Sequence, residues 1–211
     1  MNAYSTRGQA PVVSIADAIA AGLAPDGGLY LPERWPQFAV ADFDGANTLT
    51  EVGLRLLRPF FAGGALEAAL PAICADAFAV TPPLVGFGKE GDYLLELFHG
   101  PTAAFKDYAA RFLAGCLAAL PQGEKPLTIV VATSGDTGAA VASVRGAAVT
   151  IAGGPVDPES LSLFSAEAVE AVRAFRADVA VLSTCAVSTR EGLTVMESDD
   201  AMVKRAIMAS S

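Results

Sequence analysis

Histidine occurs once, at His99, and cysteine only three times, at Cys74, Cys116 and Cys185. One histidine and three scattered cysteines have no metal-ligand spacing, so a structural zinc site is excluded and no metal is expected. An odd number of widely separated thiols reads as reduced and buried, in a cytoplasmic protein. Basic residues are also short: 14 Lys and Arg face 23 Asp and Glu, for a formal net charge of −9. Nucleic-acid phosphates demand a basic face, so that class of partner is excluded. No apolar run approaches the roughly 20 residues of a membrane span. The opening MNAYSTRGQAP has no apolar core of a signal peptide. A soluble, cytoplasmic protein without nucleic-acid or membrane partners is expected.

More than half of the 211 residues are apolar, enough to bury the core of one large domain or two modest ones. Ser14 reads as the N-cap of a short helix, Ile15 to Ala21, with Asp17 at its third position and Gly22 closing it. Pro25-Asp26-Gly27-Gly28 is a tight turn before a short strand that ends at Pro32. Thr48 or Thr50 caps a helix that Pro59 either breaks or carries into a next turn, and a second helix runs from Ala65 to Ala77. Phe60, Phe61 and Phe78 read as core. From Tyr93 onward strands alternate with helices, which predicts an α/β fold. The strands are Tyr93 to Phe98 (buried), Leu127 to Ala132 (covered on both faces), Val149 to Ala152 and Val179 to Ser183. The helices are Phe105 to Leu120 with Thr102 as its cap, Thr137 to Val144, one within Pro158 to Phe175 capped near Asp157, and Ser198 to Ala209.

Two stretches carry chemistry. In LELFHGPTAAFKD, Leu95 to Asp107, Lys106 stands between Phe105 and a carboxylate. Lysine is the side chain that condenses with aldehydes as its free amine. In the first turn of a helix the positive end of the dipole disfavours a further positive charge, which helps keep that amine free. The bland reading is a surface lysine paired with Asp107. In ATSGDTG, Ala132 to Gly138, a Gly/Ser/Thr-rich turn joins an apolar strand to a helix. Consecutive backbone N–H groups and two hydroxyls suit a carboxylate or another anion, though an ordinary strand–helix connection reads the same way. A reactive amine and an anion cradle together suggest pyridoxal phosphate (PLP) chemistry.

HGPTAAFKD followed by ATSGDTG resembles the threonine synthase family, and so do YSTRG (Tyr4 to Gly8) and GLAPDGGLYLPE (Gly22 to Glu33), in the same order. The resemblance covers about residues 1–143 and implies a fold-type II PLP enzyme. Residues 1–81 then correspond to the family's N-terminal domain and 82–145 to the start of its catalytic core. The implied reaction converts O-phospho-L-homoserine and water to L-threonine and phosphate. By resemblance Lys106 binds the cofactor covalently and moves protons, and Phe105, Asp136 and His99 lie near the cofactor, Asp136 beside its phenolic oxygen. Ser134, Gly135, Thr137 and Gly138 would hold the substrate carboxylate, and Arg7 could reach an anion. The later glycine-rich loop that holds the cofactor phosphate in that family does not follow, and Gly153-Gly154-Pro155 has no polar nest after it to replace it.

From about Ala148 the pattern changes. VTIAGGPVDPESLSLF and FRADVAVLSTCAVSTREGLTVMESDDAMVKRAIMAS resemble the C-terminal effector domain of DeoR-family sugar-responsive repressors. That resemblance assigns residues 146–211 to a partial sensor segment. It sets Lys204 against a sugar phosphate, with Glu197, Asp199 and Asp200 as polar neighbours. The plain reading of Lys204-Arg205 is a solvated helix end. The alternative function is therefore a non-enzymatic sugar-phosphate-sensing fragment without its DNA-reading helices. A join of two partial proteins near residues 142–148 leaves sheets incomplete, so self-association through open sheet edges is expected.

Overall fold

The computed structural model describes residues 1–121, 128–132, 136–144, 149–155, 162–182 and 185–210. Strand β1 (Asn2–Ser5) is the centre of a three-stranded antiparallel sheet, flanked by β2 (Val13–Ser14) and β3 (Tyr30–Pro32). Helix α1 (Ile15–Ala21) follows β2 directly. Ser14 caps it by accepting from the Asp17 amide at 3.1 Å, and Gly22 ends it at φ 70°.

Asp26 ties the two N-terminal motifs into one unit. Its carboxylate accepts from the Ser5 hydroxyl at 2.6 Å and from the amides of Gln9, Ala10 and Gly28 at 2.9–3.0 Å. Arg7 donates to the Asp26 carbonyl at 2.8 Å, so the cation expected to reach an anion is turned onto this loop. The Ser5 hydroxyl first, and then the three amides, hold the Asp26 carboxyl below the usual carboxylate range.

Helices α2 (Leu49–Phe61), α3 (Leu70–Ala77) and α4 (Lys106–Ala119) gather with α1 around the first core. Thr48 and Glu51 form a reciprocal capping box at the start of α2, at 3.2 and 3.0 Å. Pro59 lies inside α2 and does not break it, because Leu57, Phe60 and Phe61 on the last turns pack into the core. Helix α3 begins at Leu70, five residues later than Ala65, after a turn through Gly63 and Gly64. The core centres on Phe61, Leu66, Leu70, Ile73, Cys74 and Cys116. Phe112 of α4 meets Phe61 edge-on at 5.9 Å and stacks on Phe78 at 6.1 Å. Truncating such an aromatic to alanine typically costs about 3–5 kcal/mol, so α4 is firmly anchored.

Between α3 and α4, β4 (Leu84–Gly86) and β5 (Tyr93–Leu95) form an isolated antiparallel ribbon. Both strands are exposed throughout. The buried strand expected at Tyr93 to Phe98 is therefore shorter and open to solvent, since no described helix covers either face of the ribbon.

The second half builds on β6 (Ile129–Ala132), which pairs in parallel with β7 (Val179–Leu182) in register Ile129 to Val179 through Ala132 to Leu182. Asp178 sets that register. Its carboxylate accepts from the Thr128 amide at 2.7 Å, and its own amide donates to the Thr128 carbonyl at 2.9 Å. Helix α5 (Asp136–Ala142) follows β6, and α6 (Ala166–Arg173) precedes β7. A hairpin, β8 (Ala186–Ser188) and β9 (Gly192–Thr194), leads to α7 (Ser198–Ser210). Val169, Val172, Val203, Ala206 and Ile207 of α6 and α7 make a second core against Val130, Ala180 and Leu182.

Several expectations are corrected here. Strand β6 is half-buried rather than covered on both faces, and among the described residues its sheet has two strands. Residues 149–152 are irregular and not a strand. Helix α6 is capped by Ser165, whose hydroxyl accepts from the Ala168 amide at 3.2 Å, and the expected cap near Asp157 lies outside the described residues. Cys74 and Cys116 are buried, and burial beside Cys74 pushes the Cys116 thiol up to about 12, but Cys185 on the β8 side is exposed. No described helix is long and apolar enough to cross a membrane.

Because Asp26 has a folded pKa below its unfolded one, its contribution to stability is complete above the unfolded value and is lost as pH falls through the depressed folded value. Urea denaturation from neutral to acid pH is expected to show this loss in the wild type, and Asp26→Asn is expected to flatten the acid limb while lowering stability at neutral pH.

Candidate active site

Lys106 is the first residue of α4. The turn before it is held by Asp107, which is 2% exposed. The Asp107 carboxylate accepts from the Thr102 amide at 3.0 Å and from the Thr102 hydroxyl at 2.7 Å. Thr102 therefore does not cap α4 as the sequence suggested. The helix carboxylate reaches back to the threonine, and the N-cap position, Phe105, has no side-chain cap at all. Gly100 lies directly on Asp107, and a Cβ there would collide with the Asp107 carboxylate. Ala103, at φ 56°, is the only non-glycine residue with a positive φ among the described residues. An alanine in the left-handed region costs of order 1–3 kcal/mol and persists only where its surroundings hold it. Here the Thr102–Asp107 bonds do so.

Asp107 turns inward to Thr102, whereas the Lys106 ammonium lies 4.5 Å from the centroid of the Phe105 ring, which is 59% exposed. His99 bonds through Nε2 to Glu96 at 2.7 Å and stacks on Phe98 at 4.8 Å, half-exposed.

Helix α5 packs on both α4 and β6, so the lysine helix and the helix that follows the ATSGDTG turn are neighbours. Thr137 and Gly138 are half-buried in its first turn. Ser134, Gly135 and the side chain of Asp136 lie outside the described residues. Gly154 packs on Ser165 and Glu167 at the start of α6, where the Glu167 carboxylate leaves a poor cradle for a phosphate.

The C-terminal candidates are divided. Lys204 pairs with Asp200 at 2.6 Å, both side chains mostly buried at 12% and 15% exposure. It lies in mid-helix rather than at a solvated helix end. Glu197 and Asp199 are exposed, and Asp199 is contacted at 3.4 Å by the Ser198 hydroxyl instead of by Lys204.

Two features escaped sequence reasoning. Asp107 was legible as a carboxylate but not as the group that fixes the turn; the signal was Gly100 seven residues earlier. Tyr108 has a buried hydroxyl without a hydrogen-bond partner, and burial, then the nearby Asp107 charge, push it above its ordinary value. Its spacing had marked it only as an apolar position.

Fold and site together define an α/β protein with a clamped lysine at a helix start and a strand–helix turn on the neighbouring helix. The particular similarities are these. Residues 3–78 match the threonine synthase N terminus family, and residues 114–211 match the DeoR C terminal sensor domain. The chain is similar to threonine synthase of Pseudomonas aeruginosa, 42% identical over 150 residues covering 66% of this chain and 31% of that protein. It is similar to the Escherichia coli enzyme at 39% over 144 residues, 67% of this chain and 33% of the relative. Among solved structures, PLP-bound threonine synthase from Brucella melitensis aligns with TM-score 0.56 and 41% identity, over 67% of this chain and 32% of that one. The Escherichia coli structure aligns with TM-score 0.58 and 36% identity, over 67% and 33%. The chain thus spans about a third of the length of the curated relatives it matches. The sensor-domain match begins at residue 114, inside α4, well before the Ala148 at which the sequence pattern changes.

The clamp generates a coupled test. Asp107→Ala leaves the buried Thr102 donors unpaired and is expected to cost about 1–3 kcal/mol in urea denaturation. Gly100→Ala is expected to cost a similar amount, and the double variant less than the two losses added, because removing the carboxylate also removes the collision.

Proposed function

We propose that the first two-thirds of this chain forms the lysine-bearing part of a threonine-synthase-like, PLP-dependent lyase. The proposed reaction takes O-phospho-L-homoserine and water to L-threonine and phosphate. The carrying observation is the Thr102–Asp107–Gly100 clamp, which fixes the turn that sets Lys106 at the start of α4. The similarity to threonine synthases at about 40% identity supports the same reading.

The residues at hand fit the aldehyde end of the cofactor: a lysine amine with an aromatic ring beside it. When bound, PLP supplies the electron sink that stabilises a carbanion on the substrate. Lys106 provides the amine that attaches the cofactor and then carries protons to and from the substrate carbons. The backbone N–H groups and hydroxyls of Ser134, Gly135, Thr137 and Gly138 hold the substrate carboxylate, where uncharged donors avoid the need for a buried counter-charge. By the resemblance, Asp136 would interact with the cofactor, and Phe105 and His99 would help to hold it. The substrate loses phosphate from its γ carbon, and water adds its hydroxyl at the β carbon.

A second reading, a sugar-phosphate-sensing segment, is favoured by the sensor-domain match over residues 114–211 and by the separate core of α6 and α7. Within it Lys204 serves as a structural ion pair with Asp200.

The test is an absorbance titration of the purified protein with PLP, followed by borohydride reduction and peptide mapping. A visible band and a single label on Lys106, both lost in Lys106→Ala, are expected. Label spread over several lysines, or a band that survives Lys106→Ala, contradicts the proposal.

A further inference from the structure

The β4–β5 ribbon has two open edges as well as two open faces. Among the described residues it pairs with no other strand. Leu84, Phe87 and Tyr93 are 63%, 66% and 65% exposed, and Val85, Leu94 and Leu95 between 43% and 49%. A two-stranded ribbon standing alone is marginal in water, and further strands stabilise it.

The register identifies the free backbone groups. Leu84 lies opposite Leu95, Val85 opposite Leu94 and Gly86 opposite Tyr93. The Phe87 amide donates to the Asp92 carbonyl and the Glu96 amide to the Pro83 carbonyl, both at 3.0 Å. Antiparallel bonding alternates along a strand, so positions 83, 85 and 87 bond inward to β5. Leu84 and Gly86 therefore turn their N–H and C=O groups outward along the β4 edge, and Tyr93 and Leu95 do so along the β5 edge. The two edges differ in charge. No charged residue lies between Asp76 and Lys89, so the β4 edge is neutral. Asp92 and Glu96 bracket Tyr93–Leu95 on the β5 edge. Were two β5 strands to pair about Leu94, Asp92 of one would face Glu96 of the other, and like charges directly opposite are destabilising. Carboxylates in such positions guard an edge against pairing, and β4 has none.

We propose that β4 is the interface with a second copy of this chain. The two β4 strands pair antiparallel about Val85, giving one four-stranded sheet in the order β5–β4–β4–β5. Leu84 of each copy exchanges both backbone bonds with Gly86 of the other, which satisfies the outward groups of the β4 edge. The Leu84 side chain then lies beside Gly86, where an added side chain would meet nothing within 4 Å. Val85 meets Val85 across the two-fold axis, and Phe87 lies opposite Pro83 of the second copy. The guarded β5 strands become the outer edges, which stops growth at two copies. The exposed apolar surface of one ribbon is on the order of 600 Å², below the roughly 800 Å² per partner of a standard interface, so the dimer dissociates on dilution.

Sedimentation equilibrium of the full chain from about 1 to about 200 μM, a span that brackets a micromolar dissociation constant, tests this. A reversible monomer–dimer equilibrium is expected. Val85→Lys sets two ammonium groups opposite each other on the axis and Val85→Glu two carboxylates, so each is expected to raise the dissociation constant by about tenfold or more. An equal mixture of the two variants is expected to dimerise again, which misfolding of either would not allow. Leu94→Lys, on the same face but on the guarded strand, is expected to leave the dimer in place. A wild-type chain that is monomeric throughout overturns the proposal, as does a dimer that survives both Val85 variants or a mixture that stays monomeric. Dissociation by Leu94→Lys to the same extent as by Val85→Lys also overturns it, because a face and not the β4 edge would then be buried.

Discussion

The parallel pairing of β6 with β7 is the contact on which the rest of the second half depends. Both strands lie within the sensor-domain match over residues 114–211, and β6 also lies within the stretch whose motifs resemble threonine synthase. A two-stranded ribbon alone is marginal in water. This one is held because α6 and α7 bury Val169, Val172, Val203 and Ile207 against its strands, and because Asp178 locks its first residue pair to Thr128.

Helix α4 plays the corresponding part in the first half. Its middle, through Phe112 and Cys116, is locked into the core made by α1, α2 and α3. Its first turn presents Lys106, on a turn fixed by the buried Asp107 carboxylate bonded to Thr102. Its flank packs on α5, which continues from β6. The lysine is thus tied mechanically to the β6–β7 sheet through two helices.

Where local chemistry decided the outcome, the sequence was readable. Ser14 caps α1, Thr48 caps α2, Gly22 closes α1, and α7 starts at Ser198, each by a short-range signal. The α/β class followed from the alternation after Tyr93 and is the class of the solved threonine synthase structures the chain aligns with. Where tertiary contacts decided, local signals misled. Pro59 stays within α2 because its neighbours are needed in the core. Tyr93 to Leu95 is apolar yet exposed because its ribbon has no covering helix. At the site, Lys106 at a helix start was legible from its motif, but the inward turn of Asp107 and the pairing of Lys204 with Asp200 each depend on a partner that spacing alone does not select. Lys204 and Asp200 are four apart, which permits the pair, whereas Asp199 is five residues away and Glu197 seven.

Native-state hydrogen exchange on the amides of Ile129–Ala132 and Val179–Leu182 tests the shared sheet most directly. If one sheet joins the two halves, the hydrogen-bonded amides of both strands are protected together and lose protection in a single step as denaturant is raised. If β7 remains protected with α6 and α7 while β6 exchanges like an unpaired loop, the two halves fold apart and the account is wrong.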